Sequence, residues 1–128
     1  MSSECDNEPQ ILVVDDEERI CRLIQTFLEK AGYDVVTCTG GEEGIQAFQQ
    51  HQDSVACCIV DLNMPGIDGA ETMRRIRAIQ PATHAVVCSG YGDERMGGVR
   101  NAAAKTVFVE KPIDMRELVA YVKEMLAD

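Results

Sequence analysis

A doubly wound α/β fold, with five parallel strands and five intervening helices, is predicted for this 128-residue chain by three observations. Short apolar runs alternate with stretches of helical periodicity, five times over. Glycine, proline and small polar residues punctuate the joins. Acidic, hydroxyl or basic residues stand directly after several runs, where an open parallel sheet gathers the groups that face its crevice.

Each element has a local reason. Ile11–Val14 reads as the first strand, and Glu17–Lys30 as a helix whose Ile20, Leu23, Ile24, Phe27 and Leu28 recur at helical spacing before Gly32 stops it. Val35–Cys38 is a second strand; Gly40-Gly41 opens a helix to about Gln50. Val55–Val60 is the third strand, followed by turn residues Met64 to Gly69 and a helix over Ala70–Ile79 that ends before Pro81. Ala85–Cys88 is the fourth strand, with Ser89-Gly90-Tyr91-Gly92 as its loop. Asp93–Ala104 is predicted helical, although Gly97 and Gly98 together cost it roughly 2 kcal/mol. Val107–Val109 is the fifth strand, and Asp114 caps a closing helix through Leu118, Val119, Val122 and Leu126.

Composition narrows the function. At 45% hydrophobic the chain suits one compact domain. Its formal charge of −10 conflicts with direct nucleic-acid binding, which draws on basic side chains. The acidic start, Ser2 to Pro9, lacks a secretory signal, and no segment is apolar for long enough to span a bilayer. Six cysteines without CxxC pairs or a disulfide-like spacing fit buried thiols in a reducing cytosol, so a cytoplasmic location is expected. Vicinal Cys57 and Cys58 point to opposite faces of a strand. His51 and His84 lie in polar surroundings and are expected at the surface.

Three acids carry the chemistry. Asp15 and Asp16 follow the first strand and Asp61 the third, so their carboxylates can converge. Two carboxylates about 4 Å apart at an effective dielectric near 20 repel by on the order of 4 kcal/mol. A hard divalent cation with oxygen ligands relieves this. An ionised, aligned carboxylate can also attack phosphorus to form an acyl phosphate, and Asp61 is the candidate nucleophile. A helix-capping role accounts for one of Asp15 and Asp16 and leaves the other unexplained.

Asp15-Asp16, Asp61, Ser89 and Lys111-Pro112 stand at successive strand ends, with 45 residues from Asp16 to Asp61, 28 on to Ser89 and 22 on to Lys111. Together with the loop Met64-Pro65-Gly66-Ile67-Asp68-Gly69 they resemble the receiver domain of two-component response regulators, of the chemotaxis-regulator type, over about Gln10 to Leu126. The resemblance implies a flavodoxin-like (βα)5 receiver domain over residues 10–128, preceded by a flexible segment, 1–9. It implies that Asp61 accepts a phosphoryl group from a sensor histidine kinase. Mg²⁺ is then ligated by Asp16 and Asp61, by Asp15 largely through water, and by the backbone carbonyl of Asn63. Lys111 and Ser89 are the catalytic donors to phosphoryl oxygens.

Ser89 and Phe108 form the switch, which reshapes the surface of helix 4, strand 5 and helix 5 for an output domain or downstream protein. Asn63 and Tyr91 flank the path of the hydrolytic water, and bulky Tyr91 is expected to slow self-dephosphorylation. Gly90 is expected to keep the pocket open, while Gly66 and Gly69 serve the turn and the helix start. The domain is a phosphoacceptor switch that assists its own phosphorylation and dephosphorylation, not an enzyme in the ordinary sense.

A phosphorylation-dependent homodimer is among the partners this allows. However, Thr106-Val107 and Tyr121 depart from the charged pair of the dimer formed by regulators with winged-helix outputs. A relay intermediate that passes phosphate to a histidine-phosphotransfer protein is the alternative within the same chemistry. A flavin carrier of the same topology conflicts with the acid cluster and with the lack of a glycine-rich phosphate loop. A phosphatase acting through an aspartyl-phosphate needs a second acid where Asn63 stands.

Overall fold

The computed structural model describes residues 9–90 and 105–127. Among these the chain forms β1 (Gln10–Val14), α1 (Glu18–Lys30), β2 (Asp34–Cys38), α2 (Gly41–His51), β3 (Val55–Asp61), α3 (Gly69–Ile79), β4 (His84–Ser89), β5 (Thr106–Glu110) and α4 (Met115–Leu126). The strands pair in parallel in the order β2-β1-β3-β4-β5, the doubly wound arrangement that the alternation predicts. The helix expected over Asp93–Ala104 and the segment before Pro9 lie outside the described residues.

Both faces of the sheet are covered, which is why its strands read as unbroken apolar runs. Ile11 and Val13 pack beneath α1 and α4, with Ile24, Leu28, Leu118 and Val122. Leu12 and Val14 point the other way, into the layer of α2 and α3, with Phe48, Met73 and Ile76. All of these are essentially sealed from solvent, and burying each contributes on the order of 1.5–3 kcal/mol. Cys57 and Cys58 enter opposite layers, as expected. The described cysteines are free. Burial pushes the Cys57 thiol up to about 12, too high for a reactive thiolate.

Helix ends follow from short signals. Gly32, at φ 101°, lets the Gly32 and Tyr33 amides donate back to the carbonyls of Glu29 and Leu28, closing α1 in a Schellman turn. The Asp114 carboxylate accepts from the amides of Arg116 and Glu117, and so caps α4. Asp68 does the same for α3 through the Glu71 amide. His84 departs from expectation. It is half-buried, and its Nδ1 accepts the Lys105 amide at 3.1 Å.

Candidate functional site

The carboxyl ends of β1, β3 and β5 form one crevice. Asp15 and Asp16 follow β1, Asp61 is the last residue of β3, and Lys111 is the first after β5. One carboxylate oxygen from each of the three acids lies within 4.8 Å of the others. The Lys111 Nζ sits 2.8 Å from Asp61 Oδ1, and the Asn63 amide donates to the same oxygen at 2.9 Å. The lysine is itself tethered to the sheet, because its amide donates to the Ser89 carbonyl at 2.9 Å.

The electrostatics follow from this crowding. Burial, then the negative charges of Asp61 and Asp16, raise the Asp15 carboxyl to about 6, against the opposing pull of the Glu17 amide and Lys111. Burial alone lowers Lys111, but its hydrogen bond to Asp61 and the charges of Asp61 and Asp15 outweigh that and hold it above its ordinary value. Three carboxylate donors gathered this closely suit a divalent cation of the Mg²⁺ type. Neither Asp15 nor Asp16 is the cap of α1; that position is Glu17, whose amide donates to Asp15 Oδ1 at 2.9 Å.

The remaining expected residues divide. Ser89 ends β4, fully buried, and its hydroxyl donates to the Gly90 carbonyl at 3.3 Å. Phe108 lies on β5 opposite Val87, half-buried against the α2 and α3 layer. Asn63 is exposed beside Asp61. Tyr91 lies outside the described residues.

One expectation is corrected. A Cβ at Gly90 meets nothing within 4 Å, so a small side chain there does not crowd the site. Gly69 opens α3, as expected, and its lack of a side chain matters there for a further reason. A Cβ there presses on the Asp61 carbonyl and comes within 2.9 Å of Leu62 Cα, so α3 can start this close to the acceptor strand only without a side chain. Asp61 is also more enclosed than a strand-end acid suggests, at 2% exposure, with the partly exposed Lys111 side chain paired to it.

Sequence reasoning missed two supporting groups. The buried Cys21 thiol donates to the Asp15 carbonyl at 3.3 Å, bracing the turn that carries both acids. Its only signal is an apolar helical position one turn into α1. Beside the acids, Ile20, Leu23, Ile113 and Met115 line a recess of about 190 Å³ that also touches Asp15 and Lys111.

An open parallel sheet with three acids and a lysine gathered at its strand ends is the architecture of a receiver-type α/β domain. The chain belongs to the response regulator receiver domain family of two-component systems, whose family model matches residues 11–123. It is 36% identical over 121 residues to the transcriptional regulatory protein ResD of Bacillus subtilis, covering 94% of this chain and 49% of that protein. It is 30% identical over 119 residues to the transcriptional regulatory protein SrrA of Staphylococcus aureus, covering 91% and 47%. A receiver domain structure from Clostridium thermocellum superposes with a TM-score of 0.84 at 28% identity, over 92% of this chain and 94% of that one. The chain thus spans about half the length of the curated relatives it matches.

Proposed function

We infer that Asp61 is the phosphoacceptor of a phosphorylation switch, supplied by a histidine kinase and read by an output domain or partner protein. The observation that carries this is the Lys111 ammonium at 2.8 Å from Asp61, inside a cluster of three carboxylates. Lys111 and the Asn63 amide already share Oδ1, so Oδ2 is the oxygen with lone pairs for phosphorus. As the new oxygen–phosphorus bond forms, the donor's bond to phosphorus breaks. Because the acceptor is enclosed, Lys111 leaves Oδ1 for a phosphoryl oxygen during transfer, and the Ser89 hydroxyl turns from the Gly90 carbonyl to another. Phe108 then moves into the space Ser89 vacates. Asp15, Asp16, Asp61 and the Asn63 carbonyl hold Mg²⁺, which when bound neutralises phosphoryl oxygens. The test is treatment with acetyl phosphate and Mg²⁺ followed by peptide mapping: the acyl phosphate is expected on Asp61, and its absence or placement elsewhere overturns the assignment.

Magnesium affinity is expected to depend on pH through Asp15. The folded carboxyl titrates near 6, above its ordinary 3.8, so its proton competes with the metal. Below about pH 6 the Mg²⁺ affinity is expected to fall by up to about tenfold per pH unit. Calorimetric titration is the suitable readout in a chain without tryptophan. In the metal-free protein the sign reverses. A raised carboxyl favours the fold at low pH, and that contribution is lost as pH rises from 3.8 through about 6. Asp15→Asn should therefore stabilise the metal-free chain at pH 7 while weakening Mg²⁺ binding; an affinity flat from pH 5 to 8 counts against Asp15 as part of the site.

The recess beside the acids supports docking of the donor there. Leu23, which lines it, is 43% exposed, and Phe27, one turn further along α1, is 36% exposed. Loss of one interface anchor commonly costs over about 1 kcal/mol. Leu23→Glu is therefore expected to slow transfer from the cognate kinase about tenfold and to leave the acetyl phosphate reaction unchanged; equal slowing of both places Leu23 in the fold rather than the interface.

A further inference from the structure

Arg77, on α3, is 7% exposed and lies away from the acid crevice. Its Nε donates to the Thr83 carbonyl at 3.0 Å; an Nη donates to the Lys105 carbonyl at 3.3 Å and to Thr106 Oγ1 at 2.9 Å. Lys105 is held from β4 as well, with its carbonyl accepting the Ala85 amide and its amide donating to His84 Nδ1. One guanidinium thus joins α3, the loop before β4 and the first residue of β5. A fixed planar fork meets several acceptors at once, which a lysine ammonium on a flexible stem does not reproduce.

The place of this knot gives it a consequence. In the order of the described strands β5 comes last, so its ladder partner is β4 alone. Thr106 and Phe108 are two residues apart and share a face, the one turned toward α3. The anchor therefore sits one pleat below the ring that must move, on an edge strand laddered on one side only.

We propose that Arg77 is a positioning residue for the switch: by fixing the start of β5 to α3, it makes Phe108 respond to the state of Ser89 and Asp61. Without the anchor the strand end shifts instead, and the signal is lost between site and surface. This rests on the acceptor reading above, so its test separates the two. The chain carries three phenylalanines, and fluorinated phenylalanine gives a small set of ¹⁹F lines from which Phe108→Tyr identifies that of Phe108.

In Arg77→Met and Thr106→Val, Asp61 is expected to gain phosphate from acetyl phosphate at the wild-type rate. The bias of the Phe108 line by beryllofluoride and Mg²⁺ should fall about 2- to 30-fold. Thr106→Ser, which keeps the oxygen, restores it, and the double variant is no worse than Arg77→Met. Should Arg77→Met fail to fold, Thr106→Val against Thr106→Ser decides. A full wild-type response in the Val variant overturns the proposal, as does an equal loss in Val and Ser. A wild type that is phosphorylated without any change at Phe108 overturns it alone; a wild type without acyl phosphate overturns the acceptor reading with it.

Discussion

Asp61→Asn, treated with acetyl phosphate and Mg²⁺, should show no gain in mass. The amide lacks the ionised oxygen that attacks phosphorus, and among the described acids of the crevice it is Asp61 that Lys111 pairs with at 2.8 Å, whereas Asp16 is exposed to solvent. Removing a nucleophile of this kind should lower the rate by more than about a thousandfold. Fold and chemistry are separable in this variant, because two effects on stability oppose each other. Lys111 loses its ion pair, but the crowded carboxylates lose one charge, and the Asp61 charge is among the causes that raise Asp15. The Tm should therefore stay close to wild type, and the Asp15 carboxyl, which burial still raises, should fall only part of the way from about 6, which an NMR titration reads. Undiminished phosphorylation of the variant would sink the acceptor assignment.

Gly69→Ala should damage both stability and chemistry. The added methyl meets the Asp61 carbonyl carbon and Leu62 Cα at 2.9 Å, and these are backbone atoms with no rotamer to yield. Overpacking of this type costs on the order of 1–3 kcal/mol. The relief available is for α3 to move off β3 or for Asp61 to shift, and a displacement near 1 Å at a reacting group can cost about a hundredfold in rate. Calorimetry and the acetyl phosphate rate check the two parts separately. Gly90→Ala is the control: its methyl enters open space, and it should behave as wild type. A Gly69→Ala protein with normal Tm and rate would show that the α3 start tolerates what the geometry forbids.

These two glycines mark how far the sequence could be read. β1, β3 and β4 were legible because both their faces are buried, and such strands must be apolar throughout; the edge strands β2 and β5 are only partly buried. Asp15, Asp16, Asp61 and Lys111 were legible because parallel topology sends every strand end to one edge, so position along the chain implies position in space. The structure brings these residues to one crevice, and the roles proposed for them rest on that proximity. What escaped depends on distance across the fold. Gly69 looked like turn chemistry because nothing in Gly66-Ile67-Asp68-Gly69 reports the carbonyl behind it. Gly90 looked constrained because a neighbour in sequence was taken for a neighbour in space. Arg77 sits in an ordinary charged stretch, Met73 to Arg77, and its path to Thr106 spans 29 residues. His84 looked solvated because its partner, the Lys105 amide, is 21 residues away.

Under the proposed function, the resting contact between Lys111 and Asp61 at 2.8 Å would set the size of the signal. A free lysine would respond to phosphate with the whole attraction of a new ion pair; one already engaged trades an old bond for a better one. The work available to bias the switch is then a difference between two attachments, so modest changes around the ammonium should retune how completely the domain turns on.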